Sequence, residues 1–253
     1  MDTLSPGLVA FAFALALAAG LVKGLVGFAM PMVLMSGLGS VVAPDLALAW
    51  VIVPTLATNL WQALRQGFGA ALASLARFRR FLLAGFGIML AAAQLVPYLP
   101  GPAMLLIIGV PMTLYAAATL AGRPLRLPQP PGRGVELAMG ALAGFFGGIS
   151  GIWGPPTVAL LTALDTEKRE HMRVQGVVYS AGAVVLVGAH LGSGVLNAAT
   201  LPVSIALSLP ALAGMWVGLA IQDRIDQAGF RLMTLVVLLL AGLNLVRRGL
   251  TGL

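Results

Sequence analysis

Apolar residues in this chain come in long unbroken runs, not in the alternating or one-sided stripes of a soluble strand or helix. Leu46 to Leu64, Phe81 to Leu99, Ala103 to Ala121 and Leu201 to Gln222 carry no charge. Each approaches the roughly 20 apolar residues that cross a bilayer core as a helix. Phe230 to Val246 is a further span if Arg231 extends its guanidinium to the interface, and Val174 to Leu196 is another, with His190 its one titratable residue. Two segments, Leu8 to Val42 and Val135 to Leu164, are too long for one straight crossing. The pattern predicts an all-α polytopic membrane protein of about eight membrane segments.

Inside the two long segments lie GLVKGLVGFAMP, residues 20–31, and GFFGGISGIWGP, residues 144–155. Both read G-x-x-x-G-x-x-G-x-x-x-P, at Gly20, Gly24, Gly27 and Pro31 and at Gly144, Gly148, Gly151 and Pro155. The spans that follow each motif also repeat in order, so the chain is expected to hold two four-segment repeats, 1–124 and 125–253, in one integrated membrane domain. Glycines at this spacing share one helical face, and the proline interrupts the bonding beyond it, so the first segment of each repeat is predicted to be broken or re-entrant. Glycines so spaced also serve plain helix packing in membranes. Paired interrupted segments in matching positions of two halves, however, mark the substrate site of many secondary transporters.

Composition agrees: 59% of residues are hydrophobic and 9% charged, against roughly a quarter charged in soluble domains. The net charge of +7 sits in short loops between spans, which argues against nucleic-acid binding and makes the basic residues reporters of orientation. If each long segment crosses once, Lys168, Arg169, Arg173, Arg224 and Arg231 fall on the opposite side from Arg65, Arg77, Arg79, Arg80, Arg123, Arg126 and Arg133. If each dips in and returns, with the N-terminus outside, all of these lie inside and only Arg247 and Arg248 lie outside. Inverted repeats are therefore favoured over parallel ones. The first apolar segment is preceded only by Asp2, unlike the basic start of a signal peptide, and is expected to be retained.

Lys23 is the one basic residue inside a long apolar segment, and an ammonium there is a candidate counter-charge for an anion. The competing reading is a lysine that snorkels to the interface. Asn59, Gln62, Gln94, Gln175, Tyr179, His190 and Asn244 are the other polar residues in spans, with Asn59, Gln94, Gln175 and Tyr179 as secondary candidates for the site. Met30 and Trp153 occupy the motifs themselves, where they narrow the site or fill core gaps. The acidic and basic residues from Asp165 to Arg173 read as a solvated loop or interfacial helix. The sequence carries no cysteine, no metal-ligand spacing, no cofactor motif and no nucleophile beside a base, so neither a metal, a cofactor nor an enzyme is expected.

At GLVKGLVGF, GGISGIWGPPTVALL and the closing AGLNLV the chain resembles the sulfite exporter TauE/SafE family of eight-segment bacterial membrane proteins, over nearly its whole length from Leu8 to Val246. The resemblance implies a carrier in the bacterial inner membrane that exports small anions such as sulfite, sulfoacetate and other organosulfur compounds. Its substrate region would lie along Lys23, Gly24, Gly27, Gly148, Gly151, Trp153, Gly154, Pro155 and Pro156. Protons are a candidate coupling ion, and a homodimer is compatible with this reading. Relatives often have a glycine where Ala29 stands, a proline near Ser36 and a small residue at Trp153. An anion channel and a non-transporting membrane scaffold are the alternatives.

Overall fold

The computed structural model describes residues 5–95, 98–127, 131–150 and 154–251, and within them the regular structure is helical throughout. In chain order the helices are α1 (Pro6–Val26), α2 (Met30–Leu38), α3 (Pro44–Leu64), α4 (Phe68–Arg77), α5 (Arg79–Ala93), α6 (Gly101–Leu120), α7 (Arg133–Ser150), α8 (Gly154–Ala163), α9 (Lys168–Gly192), α10 (Leu201–Arg224) and α11 (Gln227–Thr251). Six of them, α1, α3, α6, α9, α10 and α11, are long and apolar enough to cross a membrane. Their outward faces stay apolar: Leu114, Leu209 and Leu240 are all more than 60% exposed, as lipid contact demands. The chain forms two compact units, each drawn from both halves of the sequence. One comprises Met1–Ala71 with Met172–Asp226, the other Leu72–His171 with Gln227–Leu253.

In the first unit α1 starts at a Ser5 cap, whose hydroxyl accepts the Leu8 N–H at 3.2 Å, with Pro6 in the first turn. It ends because Gly27 and Ala29 both take left-handed backbone, at φ 86° and 73°, which no α-helix continues through. Pro31 then sits in the first turn of α2, where a missing N–H costs nothing. The motif proline thus opens a helix instead of breaking one.

Helix α2 folds back along α1. A Cβ on Gly37 would lie 2.3 Å from the Leu15 side chain, whereas a straight helix would separate these residues by about 33 Å at 1.5 Å per residue. The first long segment is therefore a full-length helix with a short return limb. Gly20 lies against the Ala211 carbonyl and Gly24 against that of Met215, so α1 and α10 run parallel, backbone on backbone. Helix α3 runs the same way: Ser204 Oγ donates to the Trp50 carbonyl at 3.2 Å, and Arg65 pairs with Asp223 further along. Helix α9 runs opposite to α3, with Gly176 beside Ala63 and Arg173 bonded to Gln66.

The second unit repeats these relations. Gly140 packs on the Phe81 carbonyl and Gly144 on that of Gly85, making α5 and α7 a parallel pair in contact through glycine and backbone oxygen, like α1 and α10. Gly20 and Gly144, the first residues of the two motifs, make equivalent contacts. The α7–α8 segment also returns: Leu127, shortly before α7, donates its N–H to the carbonyl of Ala163, the last residue of α8, at 2.8 Å. Helices α6 and α11 pack antiparallel, with Gly109 beside Leu245 and Gly249 beside Leu106.

Three boundaries differ from the hydropathy pattern. The apolar run to Leu99 is helical in α5 only as far as Ala93. The basic linker after α3 contains α4, which buries Ala71 and Ser74 and exposes Phe68, Leu72 and Leu75, a short helix suited to the membrane surface. The charged stretch before the fourth membrane-length helix forms the opening turns of that helix, α9, because charged residues favour helix as well as apolar ones do once a span is nucleated.

Candidate functional site

Lys23 lies in the last turn of α1 and is 1% exposed; its Nζ donates to Asn59 Oδ1 on α3. No ion-pair partner for it occurs among the described residues. The lysine does not snorkel. A buried ammonium satisfied by a neutral amide is costly, and its place at the negative end of the α1 dipole offsets only part of that. One turn on, the Gly27 carbonyl, freed by the break, accepts Gln62 Nε2 at 3.1 Å. Because α1 and α3 are parallel, the pairs Lys23/Gly27 and Asn59/Gln62 form two successive rungs.

The second rung reaches α9. Gln62 Nε2 also lies 2.9 Å from the Met172 carbonyl and 3.4 Å from Gln175 Oε1. Two carbonyls facing this nitrogen fix the amide orientation, since a flipped Gln62 would set oxygen against oxygen. Gln62 Oε1 and Gln175 Nε2 are left buried with no hydrogen-bond partner. Met30, fully buried at the start of α2, closes the layer, with Thr58 Oγ1 3.7 Å from its sulfur.

This layer is near one end of the helices, not at the centre of α3. Just beyond Gln62 come Arg65, bidentate to Asp223 at 2.5 and 3.2 Å, and Arg173, bonded to Gln66. Trp61 and Trp216 flank an open cleft of about 430 Å³ at the Arg65–Asp223 pair. The pair is substantially exposed, so Asp223→Asn should change stability by no more than about 1 kcal/mol, read as a melting shift of a few degrees at most.

Gly27 is required twice over. Its φ of 86° is the left-handed region, and a Cβ there would lie 1.7 Å from Gln175 Oε1 and 2.8 Å from Met172 Sδ. Gly27→Ala is expected to destabilise the protein by about 2 kcal/mol, from backbone strain and displacement of Gln175, and thermal unfolding in detergent would measure it. Ala29 carries a similar left-handed strain, which is the physical reason a glycine suits that position.

The structure thus brings Lys23, Gly27, Asn59 and Gln175 together in the first unit, with Tyr179 buried one turn beyond Gln175 on α9. Gly24 is applied to helix packing against α10. In the second unit Gly148 is half-buried in the last turn of α7, and Gly154, Pro155 and Pro156 open α8, both prolines buried. Gln94 is exposed at the C-terminal end of α5. Gly151 and Trp153 lie outside the described residues. The sequence reading passed over Gln62 as a site residue, although its spacing from Asn59 puts both on one helix face. The Asp165–Arg173 stretch, expected as a solvated loop or interfacial helix, runs into the opening turns of α9, and His171 within it is 2% exposed, edge-on to Phe230 with a ring-centroid distance of 5.3 Å. His171 shares a helix face with Val174 and Val178, at i+3 and i+7, and that spacing is the signal for its burial.

Long apolar helices, fold-back segments at the motifs and a buried lysine with no counter-charge among the described residues define a polytopic helical membrane protein with a polar site inside its first unit. The family model described as Sulfite exporter TauE/SafE matches residues 12–245, and the chain belongs to that family of membrane transporters for sulfite and related anions. Searches of curated proteins and of solved structures return no match.

Proposed function

We propose that this protein is a secondary transporter exporting a small anion, sulfite or an organosulfonate such as sulfoacetate, across the bacterial inner membrane. Lys23 carries the reading: an ammonium sealed among neutral groups leaves one positive charge for a ligand to balance. The fold-back of both motif segments supports the inverted arrangement of the two repeats. One end of the first unit carries Arg65, Arg173 and Arg224, and the other, with Asp45 and His190, carries no lysine or arginine among the described residues. The positive-inside rule then makes the arginine end cytoplasmic, so the Lys23 layer lies one turn inside the face from which an exported anion enters. Outward movement of a monoanion is favoured by about 2.3 kcal/mol per 100 mV of negative interior potential.

Reconstitution into liposomes tests the proposal. Efflux of sulfite is expected to saturate with concentration and to accelerate when the same anion is present on the far side. Flux that rises linearly, without that acceleration, would mean a channel. No flux of any anion would move the function to a scaffold.

A further inference from the structure

The second rung of the site has a polarity that bears on which anion fits. Gln62 Nε2 is committed to the Gly27 and Met172 carbonyls and to Gln175 Oε1. What remains free in the layer is one acceptor, Gln62 Oε1, and one donor, Gln175 Nε2, on side chains 2% and 0% exposed. A fully deprotonated, donor-free anion answers Lys23 and Gln175 but sets another acceptor against Gln62 Oε1. An anion with its own O–H answers all three. An unsatisfied or repelled buried polar atom costs more than a hydrogen bond gains, so the discrimination is strong in a sealed layer.

We propose that, of the anions named above, the site selects a singly charged oxyanion bearing its own hydrogen-bond donor, of the hydrogen sulfite or hydroxyalkanesulfonate type, over donor-free sulfoacetate, and that Gln62 Oε1 is the discriminating acceptor. The inference rests on the reading of Lys23 as the anion's counter-charge. In it Lys23 balances the charge, Gln175 Nε2 donates to an anion oxygen, and the ligand donates to Gln62 Oε1. The first two interactions serve any small anion, and the third separates them.

The test compares 2-hydroxyethanesulfonate with propane-1-sulfonate, which differ by a hydroxyl in place of a methyl at the same charge and nearly the same size. Binding to the detergent-purified full chain is measured by calorimetry, with the melting shift as a second readout. The wild type is expected to bind the hydroxylated probe at least about tenfold more tightly, although the methyl compound is the more apolar. Gln175→Met is expected to weaken both probes alike and preserve the ratio. Gln62→Met is expected to bring the ratio to within about twofold of unity. Because Gln62 also ties Gly27 to Met172, the wild-type ratio alone decides the matter if that variant does not fold. Equal wild-type affinities, with binding still dependent on Lys23, would overturn the selectivity, leave the transporter reading standing, and assign the two free atoms to a bridging water. Binding of both probes that survives Lys23→Met, or binding of neither with no anion flux, would overturn the reading on which the inference rests.

Discussion

Lys23→Met is expected to reduce anion flux by at least about 100-fold while raising the melting temperature of the ligand-free protein. The two effects share one cause. An ammonium 1% exposed, with the neutral Asn59 amide as its partner among the described residues, costs several kcal/mol to bury, and an apolar side chain of similar length fills the same space without that cost. The loss to be set against it is one buried acceptor at Asn59 Oδ1, about 1–3 kcal/mol, which Lys23→Met combined with Asn59→Leu removes. Stability that increases as function disappears distinguishes a counter-charge from a structural lysine. Liposome flux and thermal unfolding, measured on the same preparations, check it. Flux within a few-fold of wild type would exclude Lys23 from the transport pathway.

The second large effect concerns packing. Gly24→Leu and Gly144→Leu are each expected to abolish recovery of folded protein. A first side-chain carbon at these positions would lie 2.3 Å from the Met215 carbonyl oxygen and 2.0 Å from that of Gly85, and backbone cannot yield as a side-chain tip can. Even Gly144→Ala should cost about 3 kcal/mol, near the upper end of overpacking penalties, because α5 and α7 must part along their contact. Gly87→Ala is the control: on α5, the helix that Gly144 packs against, this position has nothing within 4 Å, and the change should stabilise by up to about 1 kcal/mol. Size-exclusion profiles and melting temperatures would show the contrast. Equal effects at Gly87 and Gly144 would refute close approach as the reason for the motif's first glycine.

The first motif therefore holds two kinds of glycine that look alike in sequence. Gly20, Gly24 and Gly144 face a neighbouring backbone, while Gly27 makes the turn that lets α2 reverse. Spacing shows that the glycines share a face. It does not show what meets that face, because the neighbour comes from a distant part of the chain: α10 for α1, α5 for α7. Similarly, the excess length of the segment from Leu8 to Val42 showed that it could not be one crossing, yet only the contact of Gly37 with Leu15 distinguished a fold-back from a kink. Lys23 was legible as a lone charge in an apolar run, but its lack of an ionic partner among the described residues was not.

By itself the sequence determined that this is a helical membrane protein, where most of its spans lie, that two segments repeat one motif, and that Lys23 is exceptional. Each of these follows from local quantities: transfer free energy summed over about 20 residues, the backbone freedom of glycine, the fixed φ of proline and the cost of a charge in hydrocarbon. Tertiary structure decided that α1 pairs with α10 and α5 with α7, that the layer of Lys23, Asn59, Gln62 and Gln175 forms near the arginine end, and that one acceptor and one donor in it stay free. Those outcomes depend on which backbone carbonyls and side-chain amides meet across helices far apart in the chain. Hydropathy cannot encode them, because it assigns the same value to an amide whether or not its partner is in place.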